Sequence, residues 1–205
     1  MLTRSAVMGR ATEYEFLFVV EGISMDDDQT TGILADRFDA VLSWNRGQYR
    51  IAVSGSGTSA LDAAAHVVSR LTAAVPGLRV IRLDPELVGI PDISQRTGHS
   101  RQNVLQWVNG ERNASRRFPG PEGCAGRSLV WRWADVNEWL LPLGLDDGAV
   151  RPSRPDAARI DVMLAESRDA RATETPVPLA VLRGRCVSGC EVPVFLAAGG
   201  FSHLR

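Results

Sequence analysis

The chain contains no lysine, and all 23 of its strong bases are arginine. With abundant alanine, glycine and valine, this usage points to codon bias in a G+C-rich genome, so an arginine at any one position carries less information than usual. Cysteine is scarce as well, with three in 205 residues. An odd, small number argues against the disulfide framework of a secreted domain. No apolar run is long enough to cross a bilayer and no secretory leader is recognisable, so the sequence predicts a soluble, reduced, cytoplasmic protein with no membrane partner. The three histidines, His66, His99 and His203, fall in three separate segments. His66 lies within an alanine-rich helix and His99 in the turn of a helical motif, and neither has an evident carboxylate or nucleophile partner. Cys186 and Cys190, with His203 downstream, fall short of the four compactly paired ligands of a zinc site. No metal, cofactor or catalytic constellation is expected, and the chain does not read as an enzyme. Its net charge of −1 predicts no polyanionic partner by itself.

What is present divides the chain into an N-terminal arm (1–13), a first folded unit (14–84), a second (85–142), a linker with a short helix (143–167) and an irregular tail (168–205). In the first unit, Tyr14 to Val20 alternates bulky apolar residues and reads as a strand. Ser24 is placed to cap a helix whose first turn holds Asp26, Asp27 and Asp28, anions that suit the positive end of the helix dipole. The acidic run lacks the alternating ligands, glycine and closing glutamate of a calcium loop. Ile33, Leu34 and Phe38 form that helix's inner face. Ala40 to Trp44 and Tyr49 to Ser54 read as strands joined by the turn Asn45-Arg46-Gly47-Gln48.

A long helix, Ser59 to Ala74, follows, with Leu61, Ala64, Ala65, Val68, Leu71 and Val75 at helical spacing. Pro76-Gly77 ends it, and Leu78 to Leu83 is a last strand. The order β-α-β-β-α-β predicts an α+β fold with the split arrangement of a ferredoxin-like sandwich, both helices on one face of the sheet. The other face is expected to pair with a second copy. Ser54-Gly-Ser-Gly-Thr-Ser59 precedes a helix but has no following lysine and matches no phosphate-binding fingerprint, so it reads as a capped flexible turn. No residue identifies a small-molecule effector.

The second unit carries the strongest signal, in Ile90 to Gly110. A short helix ends at Thr97, and Gly98 follows where a left-handed residue costs glycine least. Ser100 caps the next helix, in which Val104, Trp107 and Val108 form a buried stripe. At about 100° per residue, Gln102 and Gln106 point most directly away from it, flanked by Arg101, Asn103 and Leu105. Amide and guanidinium forks on one outward face suit the edges of adenine and guanine, so Arg101, Gln102, Asn103 and Gln106 are the expected base readers. Between Ile93 and Trp133 there are seven arginines against two acids, Glu111 and Glu122. That local imbalance is the footprint of phosphate contact, assigned to Arg96, Ser100, Arg112, Arg116, Arg117 and Arg127. Ser128 to Trp133 then reads as β structure, and Ala134 to Leu140 as a closing helix with Val136, Trp139 and Leu140 inward.

This order of helix-turn-helix, Phe118-Pro119, hairpin, Trp131-Arg-Trp133 and Asp135-Val-Asn-Glu-Trp-Leu140 resembles the winged DNA-binding domains of MerR-type regulators and excisionases. The resemblance covers about residues 87–141. It implies that Ser100, Arg101, Gln102 and Gln106 lie in the major groove and that Arg116 or Arg117, near the wing, touches the DNA backbone. The loop from Glu111 to Arg127 is longer than the usual wing turn.

Past Leu141, Gly144 to Pro155 reads as a linker, and Asp156 to Ser167 as an amphipathic helix with Ala157, Ile160, Met163 and Leu164 on one side. That helix is expected to dock on the winged unit or on its own copy. From Arg168 onward no periodic pattern persists, and the tail is expected to be poorly ordered or to need a partner. The expected protein is a sequence-specific binder of double-stranded DNA, a dimeric bacterial transcriptional regulator. The alternatives are an excisionase-like or phage-related architectural factor, and a protein-interaction adaptor whose helix-turn-helix does not contact DNA.

Overall fold

The structure is a computed structural model and describes residues 11–45, 47–113 and 115–174. The expectations for residues 1–10 and 175–205, with Cys186, Cys190 and His203, lie outside the described residues. The chain is an α+β protein with two antiparallel sheets. The first sheet contains β1 (Thr12–Glu21), β2 (Val41–Asn45), β3 (Gln48–Gly57) and β4 (Arg79–Leu83) in the order β2-β3-β1-β4. The helices α1 (Asp28–Phe38) and α2 (Ala60–Ala74) alternate with the strands along the chain. Phe16, Phe18 and Val20 of β1 lie in one buried cluster with Ile51 and Val53 of β3, which are cross-strand partners of Phe18 and Phe16. The period of two along β1 therefore turns a whole row of apolar side chains to the helix-bearing face.

Two local readings are corrected. The cap of α1 is Asp27, whose carboxylate accepts from Gln29 N at 3.1 Å and Thr30 Oγ1 at 2.6 Å. Ser24 lies earlier, and its Oγ accepts from Asp26 N. A carboxylate accepts from both groups at once, and these bonds hold its pKa below the usual range, the Thr30 hydroxyl contributing most. Second, Ser54 to Gly57 is not a flexible turn. It is the end of β3, paired along β1 as far as Thr12↔Gly57.

The glycines of that segment have a packing role. A Cβ on Gly55 would stand 2.3 Å from Val67 Cγ2, and one on Gly57 would stand 2.6 Å from Ala63 N. The sheet is glycine there because α2 lies directly on it, seating its smallest side chains. The buried stripe of α2 is Ala60, Ala63, Ala64, Val67 and Leu71. That corrects the predicted stripe: Ala65 is exposed, and Leu61 and Val68 are only half-buried. Gly57→Ala, which drives a methyl into helix backbone, is expected to cost about 1–3 kcal/mol of stability, the usual range for overpacking. A shift of the urea midpoint checks it.

The second sheet, β5-β7-β6, holds β5 (Leu87–Val88), β6 (Gly123–Ala125) and β7 (Ser128–Arg132). Around it lie α3 (Ile90–Thr97), α4 (Arg101–Val108) and α5 (Trp133–Leu140), followed by a short 3-10 turn, Leu141–Leu143. A final helix, α6, spans Arg154–Glu174, longer at both ends than Asp156 to Ser167 and reaching into the stretch expected to be irregular. It also docks elsewhere than expected. Ile160 and Leu164, 0% and 1% exposed, belong to the core of the first unit, and Leu83 N donates to Asp161 Oδ1 at 2.8 Å. The first core is therefore built from two separate pieces of chain, and the second unit is inserted between β4 and α6.

The junction is tied by charge. Arg151 reaches Glu86 Oε2 at 2.8 Å and Asp147 Oδ1 at 2.9 Å. Glu15 N donates to Val150 O at 2.8 Å, so the returning chain is hydrogen-bonded to the stretch of β1 that β4 leaves unpaired. Burial works against ionisation of Asp147. Hydrogen bonds from Arg151, the Trp133 indole and Ala149 N outweigh it, and the carboxyl titrates below its ordinary range.

Candidate nucleic-acid interface

The helical pair α3–α4 forms through local chemistry. Gly89 N donates to Asp92 Oδ2 at 2.7 Å, closing the first turn of α3, and Pro91 fits there because no intrahelical donor is needed. Gly98 ends α3 with φ 70°, the left-handed conformation that favours glycine. Ser100 Oγ accepts from Asn103 N at 3.2 Å and starts α4. The turn is held from inside: Ser94 Oγ donates to His99 O at 2.6 Å, and His99 Nδ1 donates to Thr97 O at 2.9 Å.

Behind α4 stands an aromatic cluster. Ile93, Val104 and Trp107 are buried, and Val108 is half-buried. The Trp107 ring lies 5.1 Å from His99 and 5.6 Å from Trp139. Phe118 meets Trp139 and Trp131 edge-on at 4.9 and 5.8 Å, the offset geometry that aromatic quadrupoles prefer. Two indole N–H groups of the cluster find an oxygen in the loop: Trp139 donates to Arg116 O and Trp131 to Pro119 O. These two bonds fasten the loop between α4 and β6 to the cluster. Trp133 donates to Asp147.

The predicted base readers differ in availability. Arg101 and Gln102 are exposed, and among the described residues neither side chain has a hydrogen-bond or ion-pair partner. Asn103 is half-buried and its Oδ1 accepts from Arg112 at 3.1 Å. Gln106 is half-buried, and its backbone carbonyl accepts from the backbone amides of Glu111 and Arg112, which leaves its side-chain amide out of these bonds. Leu105, 43% exposed, shares the outward side.

The arginines also separate into groups. Arg96 is committed to the protein, lying over the Trp133 ring at 4.6 Å and 3.6 Å from Glu86 Oε1. Arg132 is buried and contributes no surface charge. Arg116 donates to Glu138 O at 3.4 Å and lines a cleft with Arg117, Asp135, Glu138 and Arg154, so acids share its neighbourhood. Arg112, Arg117 and Arg127 are exposed. Arg127 sits at a hairpin tip, because Ala125↔Ser128 is the last pair of β6 and β7 and only Gly126 and Arg127 lie between them. Gly126 takes φ 63°, which a two-residue hairpin loop requires of a central position. The long loop from Glu111 therefore ends in a tight turn. Ser100 remains occupied as the helix cap.

Sequence reasoning missed Arg154, which joins Asp135 of α5 and Glu122 beside β6 to the start of α6. Its flanking Ser-Pro gave a linker signal, and no local pattern marks a partner that lies across the fold. Among the described residues no group of three or more His, Cys, Asp or Glu could hold a metal, and no helix is long and apolar enough to cross a membrane. No family model, curated protein or solved structure matches the chain.

Proposed function

We propose that the protein binds double-stranded DNA sequence-specifically through α4, as a dimeric transcriptional regulator of bacterial type. In this reading residues 85–142 form a winged helix-turn-helix of the MerR and excisionase type, and the first unit is a ferredoxin-like sandwich. The observation that carries the proposal is the pairing of two exposed, partner-free reading groups, Arg101 and Gln102, with a helix braced from behind by buried Val104 and Trp107. Rigid support matters because a reading side chain must keep its geometry when it leaves water. Arg127 at the hairpin tip, Arg112 beside α4 and Arg117, exposed in the loop before Phe118, supply the phosphate contacts. Asn103 reads a base only by releasing Arg112, and Arg96 serves mainly to hold Glu86 and Trp133.

Selection of duplexes from a random pool, followed by titration at several salt concentrations, tests the proposal. Gln102→Ala or Arg101→Ala is expected to cost about 1–3 kcal/mol on the selected site and to relax choice at one base pair. Arg117→Ala or Arg127→Ala is expected to weaken all duplexes alike and to lower the salt slope by about one. Identical behaviour of both groups of variants would refute the division of roles, and no enrichment from the pool would refute the function.

A further inference from the structure

The two edges of the first sheet are treated differently. Beyond β4 lies α6, and Asp161 takes up the amide of Leu83. Beyond β2 the described residues place no further strand, and β3 is its one strand partner. Natural edge strands usually carry a charge, a proline or a bulge that blocks pairing. The strand β2 has none of these: it reads Val41-Leu-Ser-Trp-Asn45 and pairs in unbroken register. Val41 is 64% and Trp44 57% exposed.

The register fixes what this edge offers. The closing pair of a two-residue hairpin, here Asn45↔Gln48, is hydrogen-bonded. Alternation along an antiparallel ladder then turns the N–H and C=O of Leu42 and Trp44 outward.

We propose that two copies of the chain associate edge to edge through β2, about a two-fold axis at Ser43, to form one continuous sheet. In this arrangement Ser43 faces its own counterpart. Leu42 exchanges both backbone bonds with Trp44 of the partner subunit, and Trp44 does so with Leu42 of the partner subunit. The exposed indole then packs against a leucine, a favourable cross-strand pair. Val41 meets Asn45 of the partner subunit, so no like charges oppose each other anywhere along the strand. A second copy is the fitting occupant because the same five residues satisfy both sides of an isologous contact. The edge suits this better than the open face, where central Val19 is already 5% exposed between its ladder partners Arg50 and Arg82. The inference gives the dimer of the DNA-binding reading a surface, and it is tested without DNA, so either fails independently.

The test is sedimentation velocity of the full chain, alone and at micromolar concentration. The unaltered protein is expected at twice the mass of one chain. Ser43 is exposed, so charge is tolerated there by the monomer. S43E and S43K are each expected to sediment as single chains, an equimolar mixture of the two to recover the dimer, and Ser43→Thr to stay dimeric. A monomeric unaltered protein, as when β2 serves a different partner, overturns the proposal. So does a single charged variant that remains dimeric, or a mixture that stays monomeric.

Discussion

Leu164→Ala is expected to destabilise the protein by about 2–5 kcal/mol, the cost of deleting a buried leucine side chain and leaving part of its cavity. The size follows from burial: Leu164 is 1% exposed within the cluster that contains Phe18, Ile51 and Leu71. The residue lies about eighty positions beyond β4, in a stretch whose pattern offers few apolar residues. Ile160→Ala is expected to act in the same way, since its side chain is 0% exposed in that cluster. Urea unfolding followed by far-ultraviolet circular dichroism measures both. A cost below about half a kcal/mol, the level of an ordinary surface substitution, would show that α6 is not part of the first core. The four tryptophans of the second unit report on that unit in the same titration, and the Arg151 and Arg154 ion pairs predict that both signals move together.

Trp107→Ala is expected to cost about 3–5 kcal/mol, at the upper end for a core substitution. Its ring contacts His99 in the turn and Trp139 in α5, so one deletion removes support from both sides of α4. That helix has eight residues, too few to persist without packing. In the proposed DNA-binding role, the variant should therefore lose DNA binding together with near-ultraviolet dichroism, whereas Gln102→Ala should weaken binding by about 1–3 kcal/mol with its tertiary signal intact. Trp107→Phe, keeping an apolar ring, should retain most of the fold. Stability unchanged on Trp107→Ala would mean that the aromatic cluster does not brace the helix.

The parts of the fold that rest on local chemistry were legible in the sequence. Gly98, Ser100 and the stripe of Val104 and Trp107 specify the turn and the orientation of α4 within a dozen residues. The strand boundaries were nearly readable for the same reason, because alternation in β1 and the hairpin at Asn45 are short-range. Tertiary choices were not legible. Alanine counts equally on any face of a helix, and only the glycines of β3 decide that Ala60, Ala63 and Ala64 face the sheet. Those glycines, in turn, look like a turn when no helix is known to lie on them. Charge counting overstated the basic face, since Arg132 is buried and Arg96 is spent on Trp133 and Glu86. Two buried residues one turn apart were enough to dock α6 on the first core, whereas its sequence pattern points to docking on the winged unit or on a second copy.

The insertion of the second unit has a mechanical consequence. Leu83, where the chain departs, and Arg154, where it returns, line one cleft with Asp161. The inserted head is thus anchored by two crossings, and Arg151 clamps them together. A head hung from a single tether swivels freely, but twisting this one strains both crossings at once. In the DNA-binding dimer proposed above, a rigid mount of this kind would act as a gauge of fixed span, accepting paired sites at one distance and one rotational phase and rejecting those a few base pairs out of step.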